Sequence, residues 1–309
     1  MSDYLWDKSG APDPEIERLE KLLEPYRYAR REPRRPRMGR SMMALAIAAS
    51  LVMVTAAVWF ATRPRGPAWQ VVALQGRPGA QKLTQGGVVE TDASSRARLE
   101  MDTFGHVEVE PNTRLKLLVT KKDEQRLALT RGKIQVEIWA PPRQFFVNTP
   151  SAVAVDLGCS YTLQVDGNGV GTVNVTFGWV AFEDHGRESF IPAAAVCKTR
   201  PAKGPGTPYY EDSPAALKTA VDRFDEGETG VLETILAAAR PRDAFTVWHL
   251  LRRVPVADRG EVFDRLSQLV QLPPDVTREM VLRGDARAID RLWDALGLGD
   301  TEWWRTWKR

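Results

Sequence analysis

The stretch from Ser41 to Thr62, SMMALAIAASLVMVTAAVWFAT, contains no charged residue. At about 1.5 Å per residue a helix of that length reaches roughly 30 Å, the thickness of a bilayer's hydrocarbon core. Helices buried in water-soluble domains rarely run apolar on every face for so long. The flanks agree. Arg27, Arg30, Arg31, Arg34, Arg35, Arg37 and Arg40 precede the stretch, only Arg63 and Arg65 follow closely, and Trp59 and Phe60 stand near its far end, where an aromatic belt belongs. An arginine excess marks the cytoplasmic side. The sequence therefore predicts a single uncleaved span, residues 41–62, in the inner (cytoplasmic) membrane, with residues 1–40 cytoplasmic and everything after about residue 65 exported to the periplasm. A cleavable signal peptide would need a short leading region and small residues before the cut, whereas here a long leader precedes the run and bulky rings end it.

With 309 residues, 43% of them hydrophobic, the chain can supply one anchor and two modest exported domains. The net charge is only +3, and much of the excess is the arginine run, so composition makes no case for direct nucleic-acid binding. The bilayer is the better partner for the membrane flank Arg34, Arg35, Arg37, Arg40 and Trp59. Both cysteines, Cys159 and Cys197, fall on the expected exported side, where disulfides form. As the two cysteines of one expected β domain they are candidates for a bond; two buried free thiols are the other reading.

The cytoplasmic segment splits by charge into an acidic part, residues 1–24, and an arginine- and proline-rich part. Asp13-Pro14-Glu15 starts a helix: an N-cap acceptor, a proline in the first turn and acid at the positive end of the dipole. Ile16, Leu19, Leu22 and Leu23 make one apolar face, bordered by Glu17 and Glu20, before Pro25 ends it. So short a helix is marginal alone. Either it orders on a partner or it is a frayed, solvated tail.

From Trp69 to about Cys197 short alternating runs punctuated by glycine and proline read as all-β. Leu127 and Leu129, then Ile134, Val136 and Ile138, alternate on either side of Gly132; Val173 and Val175, then Val180 and Phe182, alternate around Gly178. The glycines between Val165 and Val173 lead into another strand, so they form a hairpin turn and no phosphate loop. Six motifs in order carry a resemblance: Gly87-Val88-Val89-Glu90-Thr91, Leu99-Glu100-Met101, Val107-Glu108-Val109-Glu110-Pro111-Asn112-Thr113, Leu129-Thr130-Arg131-Gly132-Lys133, Phe145-Phe146-Val147-Asn148-Thr149 and Gly158-Cys159-Ser160-Tyr161-Thr162-Leu163. Over roughly residues 70–185 the chain resembles the FecR domain. That resemblance implies a regulator of an extracytoplasmic-function sigma factor, anti-sigma-like, that transmits an envelope signal. The sigma factor would then be the cytoplasmic partner, and the acidic face of residues 16–23 the candidate contact.

Residues 198–212 read as a linker. Beyond them Leu217, Val221 and Phe224, then Phe245, Trp248 and Leu251, then Val262, Leu266 and Leu269, recur at three and four, the signature of a small helical bundle over 213–309. The expected class is a multi-domain, membrane-anchored α+β chain: a tail (1–40), a span (41–62), a sandwich- or roll-like FecR-like β domain (68–197), a linker and an all-α domain. His106, His185 and His249 stand in unrelated contexts, and no cysteine or histidine pair has zinc-ligand spacing. No catalytic residue, metal or cofactor is expected, and the chain is read as no enzyme. Trp303, Trp304 and Trp307 share a helical face and are expected to fold back onto the helical core, a membrane-surface contact or a binding platform being the other readings. The alternative function is an anchored envelope scaffold or carbohydrate-binding module with no transcriptional role. In either case the exported part meets an envelope ligand or protein.

Overall fold

The computed structural model describes residues 13–27, 49–55, 69–75, 81–101 and 104–299. The chain divides into two compact units, Met1–Arg63 and Pro64–Arg309. In the first, helix α1 (Pro14–Leu23) runs into a 3-10 turn, Glu24–Tyr26, and residues 49–55 are helical.

The expected membrane-anchored class is corrected here. Among the described residues no helix is long and apolar enough to cross a membrane. Of the stretch 41–62, residues 49–55 are described, and they are helical. The rest of the stretch lies outside the described residues, as do Trp59, the flank Arg34, Arg35, Arg37 and Arg40, and the tryptophans at 303, 304 and 307.

The second unit is built on one strand. β7 (Gln125–Ile138) is 14 residues long. Its first half pairs antiparallel with β6 (Arg114–Thr120) and parallel with β8 (Phe145–Asn148). Its second half pairs antiparallel with β5 (Gly105–Val109) and β10 (Ser160–Val165). It thus belongs to two sheets. Sheet B runs β3 (Val88–Glu90), β6, β7, β8, β9 (Val153–Asp156), β12 (Trp179–Asp184), β13 (Arg187–Pro192). Sheet A runs β2 (Gln81–Leu83), β1 (Trp69–Gln75), β4 (Arg96–Met101), β5, β7, β10, β11 (Gly171–Phe177), β14 (Ala195–Arg200), the last also pairing with β15 (Gly204–Pro205) and β16 (Tyr209–Tyr210). Leu127 and Leu129 from one half of β7 and Ile134 and Val136 from the other share a core with Leu99, Leu115, Phe145, Leu163 and Phe182.

Gly132 is the bend. Its φ is 95°, and a Cβ there would lie 2.4 Å from the Cα of Thr113 and 2.3 Å from its Oγ1, so both conformation and space demand glycine. The buried Thr113 Oγ1 accepts the Lys133 N–H at 2.9 Å, and the Thr113 N–H donates to Thr91 Oγ1 at 3.0 Å. The Thr91 hydroxyl in turn donates to the Glu110 carbonyl at 2.7 Å. Two threonine hydroxyls therefore meet the backbone groups that the bend takes out of the ladder.

The chain crosses between the sheets again at Gly158, from β9 to β10, and at Gly178, from β11 to β12. The two crossings touch, since a Cβ on Gly178 would fall 2.1 Å from the Gly158 carbonyl oxygen. Buried Asp156 caps this corner, accepting the Gly158 N–H at 2.7 Å and the Cys159 thiol at 2.8 Å. Burial pushes its carboxyl up to about 7.

The helices do not form a bundle of their own, which is the second correction to the expected class. They are α2 (Ala215–Asp225), α3 (Leu232–Ala238), α4 (Ala244–Leu250), α5 (Arg259–Leu269), α6 (Arg278–Leu282) and α7 (Ala286–Asp294). Leu217, Val221, Ile235, Trp248, Leu266 and Trp293 share a core with Val155, Leu157, Ala181 and Phe190 on the outer face of sheet B. Burying that face as well as the helices' own stripes is the physical reason that the two layers make one unit. Polar contacts fix the layers together. His249 Nδ1 donates to the Phe245 carbonyl at 2.8 Å, and its Nε2 accepts the Phe190 N–H of β13 at 3.1 Å; burial holds this ring neutral, well below the usual histidine range. Buried Arg253 donates to Ser189 Oγ at 2.6 Å and Thr207 Oγ1 at 2.8 Å and faces Asp225 at 3.8 Å. Residues 198–212, linker-like in composition, are held in this joint through β15, β16 and Thr207.

The bond expected between Cys159 and Cys197 is not made; both are buried free thiols. Cys197 lies opposite Val173, which lies opposite Leu163. Cys159 is therefore two strands across and four residues along, roughly 16 Å away, against the ~7 Å that a disulfide can span. The Cys197 thiol donates instead to the Gly206 carbonyl at 3.2 Å.

Three expectations follow from these contacts. Gly132→Ala should lower the urea midpoint by an amount worth about 2 kcal/mol or more, while an alanine at Gly186, with nothing within 4 Å of its Cβ, should cost less; equal losses would remove the bend's special role. Thiol reagents should label neither cysteine in the folded chain and both after unfolding without reductant, since burial raises both thiols, Cys197 to about 12. Asp156 binds its proton more readily folded than unfolded, so its contribution to stability is present at acid pH and is lost as pH rises through about 7. Asp156→Asn should thus gain on the parent protein between pH 5 and pH 8 in paired urea titrations, a difference that cancels the opposite contribution of His249.

Candidate functional site

The residues expected as a contact surface in the first unit lie on helix α1. Asp13 caps it, its Oδ1 accepting the Glu15 N–H at 3.0 Å; Pro14 opens the first turn and Lys21 lies in the last. Ile16 is half-buried, while Leu19, Leu22 and Leu23 are 59%, 70% and 62% exposed. Glu17 and Glu20 are also exposed. The structure thus brings Ile16, Leu19, Leu22, Leu23, Glu17 and Glu20 together on one short helix, with no buried residue among them. Covering a leucine of this kind is worth roughly 2 kcal/mol.

A second candidate lies on the outer face of sheet B, where the helical layer stops. Cross-strand register places Arg126, Phe146, Val155, Ala181 and Phe190 in one row, and Asn148, Val153, Glu183 and Glu188 in the next row on the same face. The helices cover the far end of the first row. Arg126 and Phe146 of the first row and Val153, Glu183 and Glu188 of the second line a cleft of about 450 Å³, bordered by the turn Asp184 to Arg187 and by Arg143. The guanidinium of Arg126 sits 4.2 Å over the Phe146 ring and donates to Glu124 at 2.9 Å and Asn148 at 3.0 Å. Arg143 has a left-handed backbone, φ 63°, held by its N–H donating to the Asp156 carbonyl at 2.8 Å. That conformation is costly for a non-glycine residue, and it brings the side chain to Glu183 at 2.8 Å. Burial and the neighbouring Glu183 push Glu188 up to about 8.

Sequence reasoning missed this cleft because its residues come from separate strands, with Arg143 on a loop. One local signal was there. His185-Gly186 is a two-residue hairpin loop with both φ angles positive, 43° and 81°, the geometry that such loops favour, and it sets Glu183 directly opposite Glu188. The histidines serve local contacts: His106 faces Glu137 at 3.5 Å, His185 pairs with Asp184 at 2.7 Å, and His249 joins the layers. Among the described residues no group of three or more His, Cys, Asp or Glu side chains could hold a metal ion.

Residues 87–181 match the model of the FecR protein family. No curated protein matches the chain. Two crystal structures of a candidate anti-sigma factor from Parabacteroides distasonis ATCC 8503, at 1.65 and 2.50 Å resolution, are similar with a TM-score of 0.36 and 15% identity each. The similarity covers 43% of this chain and 63% and 62% of those chains, so this chain spans somewhat less than two thirds of either. The resemblance read from six motifs is thus matched by the FecR protein family over residues 87–181, the stretch that holds β7, its bend at Gly132 and both later crossings.

Proposed function

We propose that this chain regulates a sigma factor, with α1 as the contact and the unit from Pro64 to Arg309 as the part that receives a signal. The FecR match supports the class of function, and the exposed leucine face of α1 is the observation that carries the mechanism. A sigma factor presents a basic surface to DNA phosphates. Glu15, Glu17 and Glu20 beside exposed leucines suit such a surface: the acids guide the encounter and match its charge, and the leucines supply the burial. In this reading the chain works by binding and catalyses no reaction. The helix is too short to be stable by itself in water, so docking and ordering occur together.

Purification of the full chain from its native cells, with mass spectrometry of what accompanies it, tests the reading. A sigma factor should be recovered, and Leu19→Asp or Leu23→Asp should lower its affinity by about tenfold or more, since each removes burial worth over 1.4 kcal/mol. Raising the salt should weaken the complex through its charged rim. Recovery of no sigma factor, or binding indifferent to both substitutions, would count against α1 as the contact.

A further inference from the structure

We propose that the outer face of sheet A binds an uncharged, extended oligosaccharide, a β-linked chain that lies across the strands on two exposed rings. The helical layer packs on sheet B. On the outer face of sheet A, cross-strand register sets His106, Glu137, Ser160 and Phe177 side by side on β5, β7, β10 and β11. Trp139, just past the end of β7, joins the same face, its ring edge-on to His106 with 6.2 Å between centroids. Trp139 is 60% exposed and Phe177 is 70% exposed, although rings of this size ordinarily seek burial. Phe177 lies two strands across from Glu137 and Trp139 two residues along from it, so the Cα atoms that bear the two rings stand about 12 Å apart. Trp139 leans toward His106 on β5, away from Phe177, and half-buried Ser160, a small residue, lies on the strand between them. A single sugar cannot rest on both rings. A chain several sugars long can.

The ligand class follows from what stands beside the rings. Arg98 pairs with Glu108 and, at 3.9 Å, with Glu100, while Glu137 faces His106 at 3.5 Å, so an ionic ligand finds no spare cation there. A phospholipid surface would meet acids where it needs bases. A protein partner is best served by a continuous apolar centre, and here Ser160, Gln135 and Thr162, the last two directly opposite each other on β7 and β10, leave the rings as separate islands in a polar face. An uncharged sugar chain suits both kinds of group. The C–H face of a pyranose rests on an aromatic ring, and its equatorial hydroxyls exchange hydrogen bonds with Glu137, Ser160, Gln135 and Thr162. A β-linked glucan or chitin chain is an extended ribbon that lies flat on a sheet, whereas an α-linked glucan coils away from it. As a received signal this ligand rests on the reading of the second unit as the receiver; its binding does not, since sheet A alone carries it.

Isothermal titration of the full chain with cellohexaose and chitohexaose, which share their linkage and differ in one substituent of each sugar, tests the assignment, with maltohexaose and glucose as controls. At least one of the two β-linked hexamers should bind about tenfold or more tightly than maltohexaose, and glucose, which reaches one ring only, should bind more weakly than that hexamer by at least as much. Phe177→Ala and Trp139→Ala should each weaken the hexamer by about tenfold or more while leaving the urea midpoint in place, because both rings are exposed. Phe177→Tyr, which keeps a ring, should retain binding. Binding of neither hexamer by a chain that unfolds normally, affinity indifferent to both alanine variants, or equal affinity for both linkages would overturn the proposal. So would a dimer in sedimentation equilibrium that Phe177→Ala dissociates, since a second copy would then occupy the face.

Discussion

The approach of Gly132 to Thr113 is the contact on which the β architecture depends. A strand of ordinary twist serves one sheet; β7 serves two because its backbone turns at a residue with no Cβ, against a threonine that receives the freed amide of Lys133. Apolar side chains before and after the bend then enter the same core, and the edges of the two sheets need no other closure at that side. Thr91 and Thr113 belong to separate sequence motifs that have no apparent link when read along the chain. In the fold they are hydrogen-bonded neighbours at this bend.

The helical layer depends on the sheet in a different way. Its apolar stripes meet one another and also meet sheet B, which offers Val155, Leu157, Ala181 and Phe190 on a face that water would otherwise wet. Burial alone does not fix where two such surfaces meet. Arg253 and His249 do, each with fixed partners on the strand side, and a buried charge with directional donors penalises any sliding of the layers. Phe146 and Val153 are only partly buried against this core, and they line the cleft.

Much of the fold was legible in the residues, and what was not has physical causes. Period-two alternation placed the strands, because one face of each is buried, and the three-and-four stripes placed the helices. The surface those stripes would meet was not legible, since Trp248 and Trp293 suit a neighbouring helix as well as a sheet. Gly132 and Gly178 look alike in sequence, each with alternating runs on either side; one is a bend within a strand and the other a passage between sheets, a difference that depends on long-range pairing. The cysteines fall in one β domain as expected, yet register sets them apart, and register is not written in a pair of positions. Residues 198–212 look polar and flexible, but their carbonyls and hydroxyls serve Cys197 and Arg253. The α1 face was legible because it is local, whereas the cleft needed five strands and a loop to be placed first.

The bend in β7 also separates what is recognisable from what can fold. The matched stretch ends at Ala181, partway along β12, and begins after β1 and β2. A fragment cut to those limits would lose Trp69 and its buried bond to Gln125 on sheet A's side, and on sheet B's side both β13 and the helices that cover Val155 and Leu157. Because one strand ties the two sheets, damage at either edge reaches both. The matched stretch and the packed unit in this chain therefore have different borders, and the larger one includes Arg253 and His249, which hold the helices to the sheet.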